Sequence, residues 1–457
     1  MVIKMKRFVR LILILMIIML LSACGTAMNS ADSIRTVNID GVEKQVIKLA
    51  AINKRSEWLT QVIKGFNESS ASYHVEVNYY MDSYLSPFSV VEITSPQRTK
   101  KFAETVAEAG LLFNIDLAAG NIPDIVLVPA QMQTNSYITM GLFADLNAFI
   151  DNDPDFDRAD YLPSLFEIFD RNGRMYEIPP MFLMYGLYVK TADIGTDIGW
   201  TLDEFATYIE SKPDAEYIIA SITKNDFIIK MVQYLFVNPV TGEVRFDRDE
   251  FEKILAVAER FPTELYDYVD DIGGWEKYFW MNARNGDPIM LPLDIPNFHM
   301  PLYWGNLFFG EEVTIKGWPS SSDSGPLLSA ENYFSIMKEA ENPDGAWAFL
   351  KYTLNHVAVD KRLQWLLPVN MSLLEEIKED MDALGITDQE NDHLRRRSEY
   401  DRLMTLFKSA KRLKREDATI SKIIDEEIGG YLGGQRSVDE IIAIIENRIW
   451  IYLAEQK

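Results

Sequence analysis

Ala118-Ala119-Gly120-Asn121-Ile122-Pro123-Asp124-Ile125-Val126-Leu127-Val128 is the stretch from which the fold is read. A helical segment beginning near Arg98 reaches Gly120, and a glycine there suits a helix C-cap. Asn121-Ile122-Pro123-Asp124 then turns the chain. Ile125 to Val128 is a short, wholly apolar run bounded by turn residues, the mark of a strand buried on both faces. Upstream, Val46-Ile47-Lys48-Leu49-Ala50-Ala51-Ile52 is a second such run. Ser56 follows as a candidate N-cap, and Leu59, Val62, Ile63 and Phe66 hold the i, i+3, i+4, i+7 spacing of a core-facing helix. Val75, Val77 and Tyr79 alternate as a strand does. Strand, helix, strand, helix, strand in that order predicts a parallel sheet with helices on its faces.

Downstream the alternation continues with longer helices. Trp200-Thr201-Leu202-Asp203-Glu204-Phe205 predicts a helix start: Thr201 caps, Glu204 reaches back, and Trp200 staples onto Phe205. Ser437-Val438-Asp439-Glu440 predicts another, opening a helix with Ile441, Ile442, Ile445, Ile449 and Leu453 on its apolar side. Asn342-Pro343 places proline at a first helical position. No internal repeat is present. Residues 376–417 are charge-rich, with Arg395-Arg396-Arg397 and Lys411-Arg412, and read as a solvated helical surface.

The N-terminus addresses the chain. Lys4, Lys6, Arg7 and Arg10 precede an apolar run, Leu11 to Leu21, too short for an ordinary membrane span of ~20 residues. Leu21-Ser22-Ala23-Cys24 follows. This resembles a bacterial lipobox, in which the cysteine is lipidated and becomes the new N-terminus. We therefore expect a signal peptide at 1–23, an anchor at Cys24 and a polar tether at 24–41. Cys24 is the only cysteine, so no intramolecular disulfide can form. Removing residues 1–23 takes four positive charges and shifts the net charge from −24 to −28. Such acidity excludes nucleic acid as a natural partner. It also disfavours peripheral binding to anionic lipid, leaving acyl chains to hold the protein at the membrane. About 430 mature residues exceed the size at which one core keeps growing, roughly 250–300, so two domains are expected. The four histidines are scattered, which argues against a zinc or iron site, and no cofactor is expected.

Several segments, in order, resemble the carbohydrate-type extracellular solute-binding proteins of ABC importers, the group that includes maltose-binding protein. They are Gly65-Phe66-Asn67-Glu68, Ala118 to Val126, Gly141-Leu142-Phe143-Ala144-Asp145-Leu146 and Asn172-Gly173-Arg174-Met175-Tyr176-Glu177-Ile178-Pro179 with Gly186-Leu187-Tyr188-Val189. Gly199 to Phe205, Asn342 to Leu350 and Leu367-Pro368-Val369-Asn370 complete the set. The resemblance implies an α/β, two-lobed periplasmic-binding-protein-like fold of type II, each lobe a mostly parallel sheet flanked by helices, with a hinge between lobes. It places lobe one at 42–160 plus 318–356 and lobe two at 161–317 plus 357–457, with 173–189 near the first crossing. It further implies a monomeric, non-enzymatic receptor on the extracellular face of the cell membrane. Such a receptor closes on a sugar or oligosaccharide and delivers it to the transmembrane subunits of an ABC permease.

A sugar presents apolar CH faces and many hydroxyls, so its site needs aromatic platforms with carboxylates and amides beside them. On that basis the ligand-binding candidates are Asn53 and Trp58 after the first long strand, Asp82 beyond the next, and Tyr185 near the crossing. Asp294, Tyr303, Trp304 and Trp318 come from the aromatic-rich segment 275–318, which also holds Trp275, Tyr278, Phe279 and Trp280. Asp124 is read as structural and Trp200 as the staple. Asp151, Asp153, Asp155 and Asp157 alternate, but Phe156 and Leu162 stand where a calcium loop needs Gly and Glu, so the run is read as a solvated loop. A surface glycoside hydrolase, or a ligand-presenting sensor or adhesin, remains open beside transport. Carboxylate pairs decide nothing in a chain with 69 acidic residues.

Overall fold

A computed structural model describes residues 34–53, 55–81, 96–132, 134–264, 282–320, 325–357, 366–383 and 390–455. The expected signal peptide, Cys24, Asp82, Trp275, Tyr278, Phe279 and Trp280 lie outside the described residues. Side chains of 381–397, Arg395 to Arg397 among them, are also outside.

The first sheet is built from β1 (Thr36–Ile39), β2 (Val42–Ala51), β3 (Tyr73–Tyr79), β4 (Ile125–Pro129) and a later strand, Asn332–Ile336. β2 runs parallel to β3 and β4, with Leu49 opposite both Val77 and Ile125. Two-residue alternation then sorts the side chains. Ile47, Leu49, Ile125 and Leu127 face one core with Leu59, Phe66, Phe349 and Leu350 from helices Glu57–Ser69 and Pro343–His356. Ala50, Val126 and Val128 face another with Val106, Ala109 and Phe113 from helix Pro96–Ala118. Every residue of β4 is buried. The helical stripe Leu59, Val62, Ile63, Phe66 is buried as its spacing predicts.

Asp124 is 1% exposed and staples this lobe. Its carboxylate accepts from Lys48 N and Asn342 N, each at 2.7 Å, tying β2 to the loop before helix Pro343–His356. Burial pushes its pKa up, and the two backbone donors only partly counter that. Asp124→Ala strands two buried N–H groups at about 1–3 kcal/mol each. We expect a loss of about 2 kcal/mol or more, read from the midpoint of urea unfolding.

The second sheet centres on β5 (Met181–Lys190), buried along its length except at Lys190. It pairs with β6 (Leu291–Ile295), β7 (Val313–Lys316), β8 (Leu327–Ser329) and β10 (Leu367–Pro368); β9 is the first-sheet strand Asn332–Ile336. All four of these pairings are antiparallel, whereas in the first sheet β2–β3 and β2–β4 are parallel and β1–β2 and β4–β9 antiparallel, so the parallel order expected of both lobes is met only around β2. β7 passes so close to Gly186 that a Cβ there would meet Ile315 Cγ2 and the Lys316 carbonyl at 2.8 Å, which is why glycine stands in this strand.

One face of β5 carries Tyr185, Leu187 and Val189. They pack on a helical layer that includes Leu202–Glu210, Lys224–Phe236, Arg248–Ala258, Ala418–Leu432 and Val438–Glu455. Both capping boxes form: Thr201 with Glu204, and Ser437 with Glu440. Trp200 packs edge-on against Phe205 at 5.0 Å and donates Nε1 to the Gly317 carbonyl at 2.8 Å. The acidic run is less solvated than its composition suggests: Asp153 accepts from Trp347 Nε1 at 2.8 Å and Lys351 Nζ at 2.7 Å.

The chain changes sheets at defined points. Ile178 bridges to Phe334 in the first sheet, and after Pro179-Pro180 the chain enters β5 of the second. β8 ends at Ser329 and β9 begins at Asn332, so only Ala330 and Glu331 separate a second-sheet strand from a first-sheet strand. By sheet membership this change falls later than 318, because β8 as well as β7 is held by β5.

Candidate functional site

β5 turns Tyr185 toward the helical layer and sets it opposite Asp294 on one side and Leu327 on the other. Trp318, two residues after β7, stacks on the Tyr185 ring at 6.0 Å and 19°. Tyr234, from helix Lys224–Phe236, meets Trp318 edge-on at 5.5 Å and 68°. Three rings from three elements thus form one nest, with ring geometries of the kind that aromatic quadrupoles favour. Trp318 is fully buried, and Tyr185 and Tyr234 nearly so.

The polar rim comes from residues 412–416, extended between helices Glu390–Lys408 and Ala418–Leu432. Leu328 N donates to the Arg412 carbonyl and Lys414 N to the Leu328 carbonyl, so this segment docks along β8. Extended backbone sends alternate side chains to opposite sides. Arg412, Lys414 and Glu416 all reach the nest. Arg412 Nη2 donates to the Trp318 carbonyl at 2.8 Å. Lys414 Nζ sits 3.5 Å from the Tyr185 ring centroid and 3.5 Å from Asp294 Oδ1, a cation held between a π face and a carboxylate. The Tyr234 hydroxyl donates to Glu416, which also pairs with Lys230 Nζ at 2.9 Å.

On the other side, Leu413 enters the larger core, and Arg415 meets Glu177, just before Pro179-Pro180. Arg415 Nη1 lies 2.9 Å from Glu177 Oε2, both side chains being under 10% exposed. Thr134 Oγ1 donates to Glu177 Oε1 at 2.6 Å, and the Arg415 guanidinium lies 4.9 Å over the Tyr333 ring of β9. The pair joins residues beside these two changes of sheet.

Electrostatics follow from burial. It pushes the Tyr185 and Tyr234 hydroxyls well above their ordinary pKa, and the charges of Glu416 and Asp294 push them further, so both stay protonated. Burial alone would raise Glu416, but Lys230 and Lys414 bring it below the usual range. Burial lowers the Arg412 pKa to about 10. The nest therefore holds neutral phenols, an indole and charged groups, with the rings packed against one another.

The candidates read from the sequence separate. Tyr185, Asp294 and Trp318 come together here. Trp304 packs edge-on against Tyr188 at 6.1 Å, on the opposite face of β5, and Tyr303 is half exposed beside the His299 ring. Asn53 Nδ2 donates to Asn332 Oδ1 at 2.5 Å, while Trp58 is half-buried against the first lobe's core. A hollow of about 640 Å³, lined by residues including Tyr161, Met371, Glu375, Glu376 and Lys408, shares no residue with the nest.

Tyr234, Arg412, Lys414, Arg415 and Glu416 are residues of this arrangement that sequence reasoning did not single out. Lys411-Arg412 read as solvated surface, yet the Arg412 nitrogens Nε and Nη1 and the Arg415 side chain are shielded. The only local signal was Leu413, one apolar residue in the charged run Lys411 to Arg415, too little to mark an extended segment.

No protein-family model and no curated protein matches the sequence. Solved structures do match in fold. One is an extracellular solute-binding protein family 1 member from Alicyclobacillus acidocaldarius: TM-score 0.55, 13% identity, covering 90% of this chain and 98% of that one. The sugar-binding protein MalE of Xanthomonas citri matches with TM-score 0.55, 14% identity and coverage of 90% and 98%. The cyclic α-maltosyl-1,6-maltose binding protein of Arthrobacter globiformis matches with TM-score 0.52, 14% identity and coverage of 90% and 100%. The chain thus has the two-lobed α/β fold of these proteins along nearly its whole described length.

Proposed function

We propose that this protein is the solute-binding subunit of an ABC importer. It captures a sugar or oligosaccharide between its lobes by hinge closure and hands it to a membrane permease. It works as a monomer on the extracellular face, held by lipid on Cys24, and is a receptor and not an enzyme.

The observation that carries the reading is the nest of Tyr185, Trp318 and Tyr234 with Asp294, Lys414 and Glu416 at its rim. Ring faces suit the CH surfaces of a pyranose, and protonated phenols beside charged groups suit its hydroxyls. The nest lies next to the points where the chain changes sheets, so a bound ligand would bias the angle between the lobes. Sugar binding by structures of the same fold adds support, as does the lipobox-like Leu21-Ser22-Ala23-Cys24.

The test is a thermal-shift screen of the protein against oligosaccharides. A ligand at 100 times its Kd should stabilise the native state by about 2.7 kcal/mol. The bound sugar should be recovered unchanged after overnight incubation. New reducing ends, abolished by replacing a single carboxylate, would assign a hydrolase in its place.

A further inference from the structure

We propose that the ligand is an acidic saccharide, of the uronic type, whose carboxylate is received by Arg412 and the indole N–H of Trp318. This rests on the sugar-binding reading above and narrows it.

The neighbouring cations are already answered by acids: Arg415 by Glu177, Lys414 by Asp294 and Lys230 by Glu416. Arg412 differs. Among the described residues no carboxylate lies within 4 Å of it, and Glu250 acts on it only through its field. Only Nη2 is engaged, by the Trp318 carbonyl. Nε and Nη1 are shielded from solvent and have no hydrogen-bond partner among the described residues, and the same is true of Trp318 Nε1. Buried polar groups in native proteins are overwhelmingly satisfied, so a cluster of unmet groups calls for an explanation.

All three unmet atoms here are donors, and two of them belong to one fixed cation. Their complement is an acceptor with negative charge. Guanidinium nitrogens form a rigid fork that matches a carboxylate. The stacked Tyr185 and Trp318 rings belong to the same nest. A neutral sugar would leave the guanidinium uncompensated.

The strongly acidic surface does not oppose this. Exposed charges are largely screened beyond about 8 Å at physiological salt, whereas a shielded guanidinium acts at contact. Long-range repulsion slows arrival of an anionic ligand but leaves the local preference intact.

The experiment is calorimetric titration of the full chain in mild detergent with trigalacturonic acid and, separately, with maltotriose. We expect the acidic trisaccharide to bind and maltotriose to bind at least 30-fold more weakly. Arg412→Gln should weaken trigalacturonate by about 30-fold or more, as loss of one partner of a buried charge pair does. Arg412→Lys should restore part of that affinity, since it keeps the charge and loses the fork. Maltotriose binding as tightly as trigalacturonate, or an Arg412→Gln variant with unchanged acid affinity, overturns this proposal and leaves the sugar-receptor reading standing. Failure of both sugars, and of every other saccharide in the thermal screen, overturns both. The wild-type comparison needs no variant, so it stands even if a substitution harms folding.

Discussion

Glu177→Leu is expected to destabilise the protein by about 3–5 kcal/mol, the usual cost of removing one partner of a buried ion pair. The cost arises because Arg415 would remain charged with its acid gone, in a site where its side chain is 7% exposed. The double variant Glu177→Leu, Arg415→Leu should recover most of the loss, since the buried charge leaves with the buried acid. Urea unfolding of the two single variants and the double variant, followed by tryptophan fluorescence, completes the cycle. Full additivity of the two single losses would mean that the residues do not act as a pair.

A pH dependence accompanies this pair. Burial pushes the Glu177 pKa up, but the Arg415 charge, with hydrogen bonds from Arg415 and Thr134, more than offsets it, and the net direction is down. A carboxylate whose folded pKa is depressed stabilises fully above its unfolded value, about 4.3 for Glu. That contribution is lost as pH falls below this value and through the folded pKa. Wild type should therefore lose more stability than the double variant in mild acid.

Trp318→Ala is the second large effect, again about 3–5 kcal/mol, from lost transfer energy and the cavity left among Tyr185, Tyr234 and Leu327. Trp318→Phe should retain most of the stability, because a ring still fills the space. It removes Nε1, which has no hydrogen-bond partner among the described residues, so it should cost ligand affinity more than it costs folding. Thermal melts with and without ligand separate the two. Equal losses in both would make Trp318 a packing residue only.

Local signals were legible in the sequence and long-range ones were not. The stripe Leu59, Val62, Ile63, Phe66 announced one helix, and Trp200, Thr201, Glu204 and Phe205 announced the start of another, because each lies within one or two helical turns. Asp124 was read correctly as structural. The direction of pairing in the second sheet was hidden, since β5 meets β6 across about a hundred residues and nothing in either strand encodes the sense of approach. The same distance problem split the candidate site. Tyr185, Asp294 and Trp318 converge because β5 pairs with β6 and Trp318 follows β7, whereas Trp304 lands on the face with Tyr188. Arg412 and Arg415 lay in a charge-rich stretch, where composition argues for solvent. Their burial depends on Leu328, 85 positions upstream of its bridge partner Leu413.

The two residues between β8 and β9 carry a mechanical corollary. A pair of residues spans at most about 7 Å, and here Ala330 is 4% exposed while the Glu331 carbonyl is fixed by Ala130 N at 2.8 Å. Such a link has no slack: it lets the bodies it joins swivel about a nearly stationary point but forbids them to slide apart. The companion link at Pro179-Pro180 has both φ angles locked by pyrrolidine rings. At these two links the available swing is thus confined to a few backbone torsions, and motion there should appear as rotation with almost no translation.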